Sequence, residues 1–409
     1  MAQAFDPAAA TAAYLATMSP EAHLKAQHYT QGGHWLLLWG AVVAVLAAWL
    51  VLRSGVLVRV RNRVERRRPR PWLAALLVLA LAGVLGPLLG LPWTAYASWW
   101  RERGYGLTDR AFGGWLSEWL VSLVIGGVVS AVVLSLLYAL IRRAPKTWWA
   151  WGGVLIGTAF VVVLIAMPVV IQPLFNTYKA APPGPTRDAV VQLAEATGVP
   201  SDRIFVYDGS KQSNRYTANV AGLGGTVRIS MSDMMFLKGA DIAEVRAVVG
   251  HEIGHYKTGQ VFWGALAFGA LAAAGFFLTD RLYPVVRRWV GARAVGGLSD
   301  PAGYPIVSMI ITVLLLLATP IYASFTRFGE AQADRYSLEH AREPDGLAKA
   351  LVKTIEYRAA TPSRLEEIIF YDHPSVGSRV RKAMDWKAAH LSNYPPTLEQ
   401  ARKLYRGAN

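Results

Sequence analysis

The run His251-Glu252-Ile253-Gly254-His255 sets two imidazoles and a carboxylate at the spacing of one helical turn. On a helix, residues four apart project from one face, so both rings reach a common point. A zinc ion about 2.0–2.1 Å from each nitrogen would then have Glu252 beside it, placed to take a proton from an attacking water. A catalytic zinc takes three protein ligands and keeps a fourth position open. The chain contains no cysteine, so the third ligand must be His, Glu or Asp. Phe328-Gly329-Glu330-Ala331-Gln332-Ala333-Asp334 carries two carboxylates four residues apart, hence on one helix face. One of them can ligate the metal while the other accepts a hydrogen bond from a ligand histidine and fixes its tautomer.

The elements that position these residues are legible in the pattern around them. Asp241-Ile242-Ala243-Glu244 reads as a helix start, an N-cap Asp with Glu three residues on. Ile242, Val245, Val248 and Val249 recur at helical spacing and give an apolar face that runs into the motif. The chain of 409 residues is 53% hydrophobic and 17% charged, more apolar than an ordinary soluble protein. The excess lies in six uncharged runs: Trp35 to Leu52, Trp72 to Trp100, Trp119 to Ile141, Trp148 to Ile171, Val261 to Thr279 and Tyr304 to Thr326. Each reaches the length of a transmembrane helix, and tryptophans gather at their ends, where such rings favour the water–lipid boundary.

The reading is a mainly α membrane protein with six transmembrane helices. It divides into a polar segment 1–34, four spans within 35–171, an α+β unit 172–260 carrying the metal motif, two spans within 261–326 and a helical tail 327–409 that completes the site. Within the α+β unit, Ala180 to Pro185 reads as a linker, Thr186 to Thr197 as an amphipathic helix, and Ile204–Tyr207 and Thr226–Ser230 as strands separated by a Gly/Asn-rich connection. An even number of spans puts the unit and the tail on the same side of the membrane, as the shared site requires.

The formal charge of +15 does not signal nucleic acid, because no stacking or groove-reading module accompanies it. Eight arginines (53, 59, 61, 63, 66, 67, 68 and 70) crowd the loop after the first span, where they would meet anionic membrane lipids. The first 33 residues lack a basic region followed by an apolar stretch, so a cleavable signal peptide is not expected. The loops at 53–71, 142–147 and 280–303 hold fifteen Lys and Arg, against four in 1–34 and 101–118. The positive-inside rule therefore places the metal unit outside the cytoplasm.

H-E-x-x-H followed after two spans by E-x-x-x-D resembles the type I CAAX prenyl protease family of gluzincin zinc metallopeptidases. Gly90-Leu91-Pro92-Trp93 with Tyr96, Pro173-Leu174-Phe175, Gly209-Ser210-Lys211, Ser213-Asn214-Arg215-Tyr216 and His373-Pro374 extend the likeness over most of the chain from about Trp35 onward. The resemblance implies one Zn2+ per chain, with His251, His255 and Glu330 as ligands and Asp334 behind them. It implies Glu252 as general base, and His373 and Arg379 near the metal, where they suit stabilisation of an oxyanion. Asn214 matches an Asn that can hold the substrate backbone, and the strand Val227 to Ser230 could offer an edge to an extended peptide.

Two departures stand out: six spans where eukaryotic members are read with seven, the first being absent, and Arg215 where the family has Ala. The implied activity is that of an integral-membrane zinc metalloendopeptidase acting near a prenylated C-terminal cysteine and facing the cytosol. The alternatives are a quality-control protease with no prenyl requirement, and an inactive zinc-binding scaffold, against which the intact Glu252 argues. The expected location is the cell membrane in a bacterium, or an endoplasmic-reticulum-type membrane in a eukaryote.

Overall fold

The computed structural model describes residues 5–215, 217–222, 226–237 and 241–390; Tyr216 of the quoted motif and the tail beyond 390 lie outside them. Among the described residues six helical segments are long and apolar enough to cross a membrane: Pro20–Ser54, Pro71–Gly104, Phe112–Arg143, Trp148–Leu174, Gln260–Trp289 and Pro301–His340. Their outer faces carry exposed Trp35, Trp72, Trp100, Trp151 and Trp263, the expected covering of a surface that meets lipid.

The N-terminal region consists of α1 (Pro7–Leu15), α2 (Pro20–Ser54), α3 (Val56–Glu65), α4 (Pro71–Ala95), α5 (Arg101–Gly104), α6 (Phe112–Arg143) and α7 (Trp148–Ala166). The segment 1–34 is not separate from the rest. α2 starts at Pro20, capped by the Ser19 side chain on the Ala22 amide. α1 packs Tyr14 and Leu15 onto the same core as Val376, Val380 and Met384 near the C-terminus, and Tyr14 Oη donates to Asp345 at 2.7 Å. The apolar count alone missed this, because a helix that leaves the membrane keeps its backbone bonds while its side chains turn polar.

Between the fourth and fifth spans lies the α+β unit, with α8 (Pro185–Ala196), the four-residue α9 (Met234–Leu237) and α10 (Ile242–Lys257). Its sheet has the order β1 (Tyr178–Ala180), β2 (Ile204–Tyr207), β4 (Arg228–Ser232), β3 (Ala218–Ala221). β1 and β2 are antiparallel, β2 and β4 parallel, β4 and β3 antiparallel. Val190 and Leu193 of α8, Ile229 and Met231 of β4, and Val245, Val249 and Ile253 of α10 form its buried core. The expected strand at Thr226–Ser230 begins two residues later, at Arg228, and is internal to the sheet. The two edges are β1 and β3; β3 is the one beside the metal motif's cavity, and Ala-Asn-Val-Ala carries too little β signal to be read as a strand from sequence.

α11 (Gln260–Trp289) follows α10 almost directly and packs along α7. Gly153 and Gly157 of α7 face Gly269 and Ala273 of α11: a Cβ at Gly153 would fall 2.6 Å from both Ala273 Cβ and the Gly269 carbonyl oxygen. This is the small-residue contact that lets membrane helices approach through their backbones.

α12 (Tyr304–Leu317) and α13 (Thr319–His340) form the sixth segment, 40 residues with a short lead-in at Pro301. At 1.5 Å per residue that is about 60 Å, roughly twice the hydrocarbon thickness of a bilayer, so its last turns rise out of the lipid. α14 (Pro344–Lys353), α15 (Arg364–Phe370) and α16 (Val376–Ala389) complete the described chain.

Gly153→Ala is expected to destabilise the protein by about 1–3 kcal/mol through overpacking, read as a lower melting temperature in detergent. Gly126→Ala, where a Cβ meets nothing within 4 Å, should leave it unchanged. Because the chain has no cysteine, single replacements report sidedness directly. Cysteines at exposed Asp202 and Ser363 should react with an impermeant maleimide from one face of the membrane and one at exposed Ser54 from the other. The arginine bias expects Ser54 on the cytoplasmic face, whereas the family resemblance expects Asp202 and Ser363 there.

Candidate active site

Asp241 caps α10 by accepting the Glu244 amide at 2.8 Å, and the helix runs unbroken through the motif to Lys257. His251 and His255 therefore share a face, with ring centroids 4.6 Å apart and their planes nearly perpendicular. α13 lies against α10 at close range because α10 has glycine where the two meet. A Cβ at Gly254 would come within 2.9 Å of Ala333 Cα, and one at Gly250 within 2.9 Å of Ala341 Cβ. Ser337 Oγ of α13 donates to the Ala247 carbonyl at 2.7 Å and fixes the register. That register delivers Glu330 to the histidines.

His251 Nε2 stands 3.3 Å from Glu330 Oε2, and His255 Nε2 stands 3.4 Å from Glu330 Oε1. The two Nε2 atoms are 3.0 Å apart. Ligand atoms placed tetrahedrally about 2.0–2.1 Å from a metal lie roughly 3.3–3.4 Å from one another, so the cluster has close to the dimensions of a three-ligand site. Glu330 Oε2 is buried with no hydrogen-bond partner among the described residues, an acceptor that a cation would satisfy. The field points the same way. Burial disfavours charge on His251, but Asp334 and Glu330 overcome it and push its pKa up to about 9.

A second layer holds the rings. His251 Nδ1 donates to Asp334 Oδ1 at 2.9 Å, which leaves Nε2 as the lone-pair donor toward the cluster. Arg379 clamps the same carboxylate, Nε to Oδ2 and Nη2 to Oδ1, both at 2.7 Å. Gln260, which the motif analysis did not single out, does for His255 what Asp334 does for His251. Its Oε1 accepts from His255 Nδ1, and its Nε2 donates to the Gly329 carbonyl at 2.7 Å. A Cβ at Gly329 would sit 2.8 Å from Gln260 Oε1. The only sequence signal for Gln260 is its place five residues after His255, at the start of the next helix.

A cavity of about 200 Å³ opens beside the cluster and is lined by Thr217, Ala218, Val248, His251, Glu252, Glu330, His373 and Arg379 among others. Burial pushes the Glu252 carboxyl above its ordinary range, against the pull of His251 and His255. His373 donates through Nδ1 to Asp372 at 2.8 Å and turns Nε2 to within 3.2 Å of Glu330 Oε1. The structure thus brings together His251, Glu252, His255, Glu330, Asp334, His373 and Arg379. Asn214 stands apart from them. Its backbone N–H donates to the Leu107 carbonyl at 3.0 Å and its amide to Asp109 at 3.2 Å, and it does not line the cavity. The segment after it does, through Thr217 and Ala218 at the head of β3. Arg215 anchors this loop to the membrane helices, donating to Glu102 at 2.8 Å and to the Tyr29 hydroxyl at 3.0 Å.

A metal-fitting H-E-x-x-H cluster whose helix leads straight into a membrane span defines an integral-membrane metallopeptidase. Residues 185–387 match the model of peptidase family M48, and residues 7–177 match that of the CAAX prenyl protease N-terminal region, described by its five membrane helices. The chain belongs to peptidase family M48, to the part of it that carries the CAAX prenyl protease N-terminal region. It is 26% identical to a metalloprotease of Bacillus subtilis, YhfN, over 90% of this chain and 86% of that one. It is 25% identical to CAAX prenyl protease 1 of Saccharomyces cerevisiae over 87% and 79%. A crystal structure of S. mikatae Ste24p superposes with a TM-score of 0.72 at 22% identity, covering 90% of each chain. Within 7–177 this chain has four membrane-length helices. α1, with 9 residues, spans only about 14 Å.

Gln260→Ala should weaken metal retention about 10- to 100-fold, the usual effect of losing a partner of a ligand histidine, as measured by competition with a chromophoric chelator.

Proposed function

We propose that the protein is a zinc endopeptidase that cleaves peptides near a C-terminus carrying a prenylated cysteine, with His251, His255 and Glu330 holding one Zn2+. The observation that carries this reading is the convergence of Glu252, His373 and Arg379 on one cavity beside the His-His-Glu cluster. The metal, when bound, supplies Lewis acidity toward water and a peptide carbonyl.

The chain's own residues do the rest. Glu252, buried and with its carboxyl raised, takes the proton of the attacking water and returns it to the leaving nitrogen. His373, oriented by Asp372, turns its Nε2 side toward the oxygen that gains charge and helps to steady it. Arg379 commits Nε and Nη2 to Asp334, holding His251 in its tautomer, and adds positive charge to the same wall. β3 offers its free edge next to the cavity, so an extended peptide would pair along Ala218–Ala221.

The prenyl preference rests on the relatives named as CAAX prenyl proteases and on an intramembrane cavity of about 540 Å³ between α2, α4, α6 and α12. Its walls include Gly83, Gly86, Gly126, Gly127, Trp93 and Trp119, small and aromatic residues that suit an isoprenoid chain.

Glu252→Gln is expected to keep its zinc and lose nearly all cleavage; undiminished turnover would refute the assignment of the base. The purified protein should cleave a farnesylated CAAX peptide in preference to its unmodified twin. Equal cleavage would point to a peptidase without a lipid requirement.

A further inference from the structure

Two arginines line the cavity that holds Glu252, and they differ in what they do. Arg379 is clamped onto Asp334. Arg358 is not: among the described side chains no carboxylate forms an ion pair with it and no acceptor takes its N–H groups. Its guanidinium lies 5.7 Å from the centre of the Tyr357 ring. Its charge is felt at Asp372, next to His373, which places it on the His373 side. A guanidinium left unpaired in a small cavity is a fork for a carboxylate.

Arg358, Glu252 and Glu330 line the same cavity of about 200 Å³, so an anion bound there lies within a few residues of the bond being broken. The same lining includes the aliphatic side chains of Val248, Leu347, Ala350 and Leu351. These side chains suit short apolar residues, and Arg358 adds to the same lining a cation with no ion pair among the described residues. A peptide whose last residues are aliphatic offers one carboxylate there, its own terminus.

We propose that Arg358 binds the C-terminal carboxylate of the substrate and so confines cleavage to bonds a few residues from a free C-terminus. This rests on the reading of the site as a peptidase, and the experiment separates the two. In the Glu252→Gln protein, loaded with zinc, the affinity of a fluorescein-labelled hexapeptide ending in leucine is compared with that of its C-terminal amide and of an amide ending in glutamate. The free acid should bind about tenfold more tightly than the leucine amide, as a charge-assisted fork implies. Arg358→Gln should remove that difference by weakening the acid alone, with amide affinity and zinc content unchanged, and Arg358→Lys should restore part of it.

Equal binding of acid and amide would overturn the assignment, even if the unsubstituted protein cleaves both and is a peptidase. Tighter binding of the glutamate amide than of the free acid would also overturn it, giving Arg358 to an acidic side chain. Binding of none of the three, with no cleavage by the unsubstituted protein, would refute the peptidase reading and the assignment together.

Discussion

The carboxylate of Asp334 accepts from two buried donors, the imidazole of His251 on one helix and the guanidinium of Arg379 on another. Removing one member of such a buried set leaves an uncompensated charge, at a cost of about 3–5 kcal/mol. α10, α13 and α16 are therefore held in one relative position, and Glu330, one turn before Asp334 on α13, is delivered to both histidines by the same constraint. The close glycine contacts at Gly250 and Gly254 are its steric counterpart. They allow the approach that the ion pairs then lock.

The membrane region serves this arrangement. α10 passes into α11 within a few residues, and α11 is held to α7 through backbone-level contacts at Gly153, Gly157 and Gly269. α13 reaches the site only because the sixth segment is longer than the bilayer is thick. The loop before β3 is tied by Arg215 to Glu102 and Tyr29, so the edge strand beside the cavity is also referenced to the spans. A site whose walls come from both regions cannot be cut away from its membrane helices without losing its geometry.

Arg215 shows how a departure from a family pattern becomes intelligible. Where Ala would leave the loop without a long side chain, the guanidinium meets a Glu and a Tyr hydroxyl on two membrane helices and lies 4.8 Å from the ring of Tyr357. The change falls in a strut behind the cavity rather than in its wall.

The sequence by itself determined the six spans, the capped helix with both histidines on one face, and the candidate carboxylates at Glu330 and Asp334. Hydrophobic run length and helical period are local properties, written wherever they act. Strand Ile204–Tyr207 was legible for the same reason. What only the tertiary structure decided is relational. It includes Gln260 as the partner of His255, the lack of an ion pair for Arg358 among the described residues, the β3 edge in place of β4, the docking of α1 on the C-terminal core and the position of Asn214 outside the cavity. Each depends on which side chains distant segments bring within a few ångströms, and on whether a charge or amide already has a partner there. No spacing along the chain encodes that.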